Sequence, residues 1–142
     1  MSDIIFIIPH EHLSGTNTAT ISPSLGIAYL ASTLKANGFS CTVIDMTVFK
    51  VTGDDVIKII KKEKPAVVGI SANLFTGNAA INLCRQITNK YGDDLMIIFG
   101  GAFPTSRPEK FLLETSADCV VLGEGEYTLL EIMSRLRENS LN

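Results

Sequence analysis

Short runs of aliphatic residues alternate along the chain with stretches whose apolar positions recur every three to four residues. The runs at Ile4–Ile8, Cys41–Asp45, Ala66–Ser71, Leu95–Phe99 and Cys119–Leu122 are almost continuously apolar. That is the pattern of strands covered on both faces rather than on one. Between them lie helical stripes. Ile27, Leu30, Ala31 and Leu34 make the first, and Asn37-Gly38 supplies a left-handed stop. Val56, Ile59 and Ile60 make the second, led by Asp54 and Asp55 and closed by Lys61, Lys62, Lys64 and Pro65. This charge order suits the helix dipole, so the basic run reads as a solvated helix end. Ala80, Leu83, Cys84 and Ile87 form a third stripe, and Pro108-Glu109 open a short helix before Phe111-Leu112. Leu129, Met133 and Leu136 stripe the last, with Glu126 in its first turn.

Strand and helix in alternation predict a parallel sheet with helices on both faces, because the crossovers are right-handed. The expected architecture is a three-layer, doubly wound α/β fold of five strands in the flavodoxin-like order 2-1-3-4-5. A length of 142 residues suits one domain over 1–142, and no repeat or linker divides it. At 46% hydrophobic and 19% charged residues there is ample material for a core. The net charge of −3 gives no footprint for nucleic acid or an anionic membrane. Met1-Ser2-Asp3 lacks the basic start of a secretory signal and no apolar run approaches a membrane span, so a cytoplasmic location is expected. Cys41, Cys84 and Cys119 stand singly and far apart, which fits buried small hydrophobes and not a disulfide framework or a metal cluster.

A ligand of such a sheet binds beyond the carboxyl ends of the strands, where the strand order reverses. The residues found there are Pro9 and a long loop to Pro23, then Ser71 to Gly77, Gly100 to Thr105, and Gly123 to Glu126. Glycines at neighbouring strand ends let a large flat ligand approach the backbone where a Cβ would intrude. Two familiar sites are excluded. A phosphoacceptor domain needs an aspartate after the third strand, where Ser71 stands, and a dinucleotide site needs GxGxxG opening the first helix, where only Gly15 and Gly26 occur. A flavodoxin-type FMN site is the alternative that the residues leave open. Ser14-Gly15-Thr16-Asn17-Thr18-Ala19-Thr20 has the hydroxyls of a phosphate-wrapping loop, although Ser22-Pro23 separates it from the helix.

Three segments, in order and at matching spacing, resemble one family over essentially the whole chain. Ser22-Pro23-Ser24-Leu25-Gly26-Ile27-Ala28-Tyr29-Leu30-Ala31 is similar to its PPLGLAYLA segment. Gly100-Gly101-Ala102-Phe103-Pro104-Thr105-Ser106-Arg107-Pro108-Glu109 is similar to GGxHPT…PE, and Val120-Val121-Leu122-Gly123-Glu124-Gly125-Glu126-Tyr127-Thr128 to VxGEGExT. The family is the N-terminal cobalamin-binding domain of B12-dependent radical SAM enzymes.

The resemblance implies a corrinoid over the carboxyl end of the sheet, its nucleotide tail in the crevice near the first, third and fourth strands. By position, Ser71 and Thr76 would hydrogen-bond the tail, with Leu74 in the same loop. Gly100 and Gly101 would let the tail pass, with Pro104 and Thr105 following them. Gly123, Glu124 and Gly125 would flank the tail or the corrin edge, and Pro9 and His10 would face the lower side of the ring. On this reading Gly101→Leu should abolish corrinoid retention and leave the fold intact. The implied role is that of a cofactor module serving methyl transfer, with a radical SAM catalytic domain as its partner in cis or in trans. S-adenosylmethionine and a 4Fe-4S cluster would belong to that partner, because the CxxxCxxC motif is absent from these residues. The chain is then the first domain of a longer enzyme or a free-standing corrinoid carrier.

Phe103 departs from the family pattern, which often has histidine there. His10-Glu11-His12-Leu13-Ser14-Gly15 is one substitution from a DxHxxG loop in which the histidine ligates cobalt, which makes His12 the candidate metal ligand. Two loop histidines without a metal are the plainer reading. Glu126 reads as complementing the dipole of the last helix rather than as an acid–base group.

Overall fold

The computed structural model describes residues 1–10 and 24–140. Its strands are β1 (Ile4–Ile8), β2 (Cys41–Asp45), β3 (Val67–Ser71), β4 (Met96–Gly100) and β5 (Cys119–Val120). All pair in parallel, in the order β2-β1-β3-β4-β5 expected of a flavodoxin-like fold. The helices are α1 (Leu25–Ala36), α2 (Gly53–Glu63), α3 (Gly77–Tyr91), α4 (Ala102–Ser106), α5 (Pro108–Glu114) and α6 (Glu126–Ser140). No helix among the described residues is long and apolar enough to cross a membrane.

Successive residues of a strand face opposite sides, so the central strands feed two cores. Ile5, Ile7, Val68, Ile70, Ile97 and Phe99 pack against Val56 and Ile60 of α2, Ile81, Cys84 and Ile87 of α3, and Phe111 of α5. Ile4, Phe6, Val67 and Ile98 pack on the other side against Ile27, Ala31 and Leu34 of α1 and Leu129 and Met133 of α6. The chain leaves β1 toward β2 in one direction and reaches β3 in the other. Right-handed crossovers therefore put α1 on the face opposite α2 and α3.

Helix ends follow the sequence signals. Thr52 and Asp55 make a reciprocal capping box at the start of α2, with N–H to side-chain oxygen distances of 3.0 and 3.3 Å. Those bonds to Thr52 hold the Asp55 carboxyl below its usual range. α1 stops where Gly38 takes φ +79°, with Gly38 N–H on the Lys35 carbonyl and Phe39 N–H on that of Leu34.

Four boundaries differ from the expectation. β3 begins at Val67, and β4 runs one residue later, to Gly100, because Gly100 is in register with Ser71. β5 stops at Val120 rather than Leu122, because Leu122 is exposed and Gly123 turns the chain with φ +65°. α4 fills a stretch read as loop. Pro104 sits in its first turn, where a missing N–H costs nothing. Of the cysteines only Cys84 is fully buried; Cys41 and Cys119, on the two edge strands, are half-buried.

The short helices α4 and α5 are held by three phenylalanines. The ring centroids of Phe99 and Phe111 are 4.8 Å apart, and Phe103 meets Phe111 edge-on at 5.4 Å. Phe103 also covers Gly77, where a Cβ would fall 2.4 Å from its ring. Phe103 therefore supports α4 against the start of α3, which gives the apolar departure from the family pattern a packing role. Phe111→Ala is expected to lower stability by about 3–5 kcal/mol in urea unfolding. A loss well below about 1 kcal/mol would contradict the view that this triplet anchors α4 and α5.

Candidate functional site

The register of the central strands sets side chains in rows across the face that carries α1 and α6. Phe6, Gly69 and Ile98 form one row, and Ser71 and Gly100 a second row nearer the carboxyl ends. Glycine thus occurs on two neighbouring strands of one face. A Cβ on Gly100 would find a single neighbour, the Val121 carbonyl oxygen, at 4.0 Å. A Cβ on Gly69 would meet the Phe6 ring at 3.1 Å. Over Gly69 the space is taken by the Phe6 ring, whereas over Gly100 it stays open, and a cavity of about 460 Å³ lies between the sheet and the first turns of α1 and α6. Ile27 and Leu30 of α1, Leu129 of α6 and Val121 wall it, while Ser24, Gly26, Tyr29 and Glu124 stand at its mouth.

Six of the residues expected from sequence line this cavity: Ser71, Gly100, Gly101, Gly123, Glu124 and Gly125. Their roles in the architecture differ. Gly101 has φ +103°, and a Cβ on it would lie 2.5 Å from the Ala72 carbonyl oxygen. Gly101→Leu would therefore force apart the β3–α3 loop, which corrects the expectation that it would leave the fold intact. At Gly100, by contrast, a Cβ would meet nothing closer than 4.0 Å, so a substitution there enters the cavity without displacing backbone. Gly125 is buried beneath Val121, and its carbonyl accepts the Leu129 N–H at 2.8 Å as α6 begins. Glu126 lines the cavity, half-buried, in the first turn of α6, where its charge complements the helix dipole.

The other candidates are placed around this cavity and not on its walls. Thr76 is buried, and its hydroxyl is committed within its own loop. The hydroxyl accepts the Asn73 N–H at 3.0 Å and donates to Asn73 Oδ1 at 3.2 Å, while Asn73 Oδ1 also accepts the N–H groups of Phe75 and Thr76. This reciprocal knot holds Leu74 and Phe75 outward, 72% and 60% exposed. Pro104 is buried, and Thr105 Oγ1 accepts the Gly123 N–H at 3.0 Å, tying α4 to the β5–α6 loop. Pro9 is buried at the end of β1.

The ring of His10 is held on both sides. Nε2 donates to the Val51 carbonyl at 2.8 Å, which fixes the tautomer, and Nδ1 lies 3.4 Å from the Thr47 hydroxyl. His12, the candidate cobalt ligand, and the hydroxyl-rich segment 14–20 of the flavin alternative lie outside the described residues. Among the described residues no group of three or more His, Cys, Asp or Glu side chains could hold a metal. Burial pushes the thiols of Cys41, Cys84 and Cys119 up, which disfavours thiolate chemistry at each.

Sequence reasoning missed Phe6, Gly69, Gly26 and Ser24 as parts of the site. A signal for Gly69 was present, since a lone glycine inside Val67-Val68-Gly69-Ile70-Ser71 marks a strand that something approaches closely. Ser24 is the N-cap of α1, its hydroxyl accepting the Ile27 N–H at 3.3 Å. It brings the first turn of that helix, free of acidic side chains, to the mouth of the cavity.

The comparisons with known proteins bear on the family and the fold. The model of the B12 binding domain matches residues 12–133. An uncharacterized methyltransferase of Pyrococcus horikoshii, PH0819, is 32% identical over 137 residues, covering 96% of this chain and 29% of that protein. The anaerobic magnesium-protoporphyrin IX monomethyl ester cyclase of Rubrivivax gelatinosus is 29% identical over 133 residues, covering 92% of this chain and 24% of its own length. The chain thus spans less than a third of these relatives. Among solved structures, the cobalamin-dependent S-adenosylmethionine radical enzyme OxsB with aqua-cobalamin bound superposes with a TM-score of 0.81 at 24% identity, over 97% of this chain and 19% of that one. The monomethylamine corrinoid protein of Methanosarcina barkeri gives a TM-score of 0.64 at 23% identity, over 91% and 57%. At such identities the two structures establish likeness of fold. The matched family model and the Pyrococcus relative, each spanning most of the chain, place this protein in the B12-binding domain family.

Proposed function

We propose that this chain holds cobalamin with the nucleotide tail in the cavity between the sheet and α1 and α6, and the corrin ring over the carboxyl ends of the strands. On this reading it is the cofactor module of a B12-dependent radical SAM methyltransferase or related enzyme, whose catalytic domain acts in cis or in trans. The observation that carries the reading is the apolar cavity above β1, β3 and β4, where Gly69 lets the Phe6 ring lie against β3 and Gly100 leaves the upper end of β4 bare. An apolar trough left bare of side chain at Gly100 fits a flat nucleotide base better than a branched or charged ligand. Methyl transfer is supported by the names of the relatives, which include methyltransferases, and the radical SAM partner by the likeness of fold to the cobalamin-dependent S-adenosylmethionine radical enzyme OxsB.

The chain's own contribution is binding, orientation and exclusion of water. Gly100 and Ser71 border the entrance to the trough, and Phe6, Ile98 and Leu129 cover the tail's inner end. The first turn of α1 turns backbone N–H groups toward the mouth, a favourable place for the tail's phosphate. Leu74 and Phe75, held outward by the Asn73–Thr76 knot, offer apolar surface to the ring or to the catalytic domain. When bound, the corrinoid supplies a cobalt centre able to carry a methyl group. His10 takes no part at the metal, because both its nitrogens are engaged with Val51 and Thr47.

The test is retention of hydroxocobalamin after removal of free ligand, read in the visible spectrum. The unmodified chain should keep the corrinoid bands. Gly100→Leu should keep its circular dichroism spectrum and bind at least about tenfold more weakly, the lower end of the cost of overpacking a filled site. Undiminished retention by Gly100→Leu would refute the placement of the tail. For His10→Ala the expected result is a bound-corrinoid spectrum superimposable on that of the unmodified chain. A shift of the cobalt bands in that variant would mean that the imidazole reaches the metal.

A further inference from the structure

Among the described residues the cavity is polar at its mouth and nowhere deeper. Its inner end is made by Phe6, Ile27, Gly69, Ile98 and Leu129, all buried, and none has a side-chain donor or acceptor. Phe6, Gly69 and Ile98 are paired across β1, β3 and β4, so their backbone groups serve the sheet. The polar side chains of the lining, such as Ser24, Ser71 and Glu124, stand at the exposed or half-buried outer part. A polar group carried to the inner end gives up its hydrogen bonds to water and meets no replacement. An apolar edge carried there gains by burial against Phe6 and Ile98.

Resting on the corrinoid reading above, we propose that this cavity selects among corrinoids by the base at the end of the nucleotide tail. It takes bases whose far edge is apolar, such as dimethylbenzimidazole or a cresol, and discriminates against purines. The exocyclic amine and ring nitrogens of adenine would be stranded against Phe6, Gly69 and Leu129. The methyl groups of dimethylbenzimidazole or cresol would instead be buried there. Flatness does not separate these bases, since all are planar rings. The discrimination is one of hydrogen-bonding chemistry, set by residues of three strands and two helices.

The proposal is tested by equilibrium binding of cobalamin, its cresol-tailed and adenine-tailed analogues, and tail-less cobinamide to the 142-residue chain. The decisive pair is cresol against adenine. A cresol tail cannot coordinate its own cobalt, so no cost of releasing base from metal enters its binding. The adenine-tailed corrinoid should bind at least about tenfold more weakly than the cresol-tailed one, the order expected for a single stranded polar group. Leu129→Gln, nearly isosteric and compatible with a helix, places an amide at the inner end and should narrow that ratio severalfold with circular dichroism unchanged. If that variant unfolds, the ligand series on the unmodified chain decides alone.

Equal affinity for adenine and cresol tails, both above cobinamide, would overturn the selection and leave the corrinoid reading standing. Cobinamide binding as tightly as cobalamin would overturn the selection by showing that the tail does not use this cavity. Binding of none of the ligands would overturn the corrinoid reading and the selection together.

Discussion

A parallel sheet with helices on both faces has little room to hold anything, because each face is filled by the side chains that attach the helices to it. Space appears only where a strand gives up its side chain. Here that happens twice on the same face, at Gly69 in β3 and Gly100 in β4, beside the strand at which the chain reverses its direction across the sheet. The same face is closed further down by Ile4, Val67, Ala31, Leu34 and Met133, so the loss of side chains is local and the core remains continuous. Everything proposed for the site depends on this combination of a complete lower core and a bare upper trough.

The surroundings are fixed before any ligand arrives. Asn73 and Thr76 satisfy one another and hold the β3–α3 loop. Gly101 lets that loop and β4 approach to a distance that a Cβ would forbid. Thr105 holds the β5–α6 loop through the Gly123 N–H. Polar groups expected to meet a ligand are in these cases spent on the protein itself. What they supply is rigidity, which reduces the ordering that binding would otherwise require.

The fold was legible because each strand is a near-continuous apolar run and each helix an apolar stripe with a recognisable end. Handedness put helices on both faces, and the order 2-1-3-4-5 followed from taking the alternation as a flavodoxin-like fold. Boundaries were less legible at β4 and β5, where Gly100 and Leu122 pair or diverge for reasons of register rather than composition. The site was half legible. Gly100, Gly123 and Gly125 could be found as glycines at or just beyond strand ends, and Ser71 by its place at the end of β3. Gly69 carried a signal as a lone glycine inside a strand, but Phe6 carried none, because its meaning comes from sharing a row with Gly69 and Ile98 across three strands. Thr76 shows the converse: a hydroxyl in the loop beyond a strand is no guide to whether it faces a ligand or its own loop.

The most direct measurement of the central claim is a methyl-resolved NMR titration of the isotopically labelled chain with hydroxocobalamin. The account predicts shifts concentrated at Leu30, Ile98, Val121 and Leu129, which wall the trough, with Ile5, Val68 and Ile87 on the opposite core left in place. Shifts centred on the α2 and α3 face, or confined to the exposed loops with Ile98 and Leu129 unmoved, would contradict it.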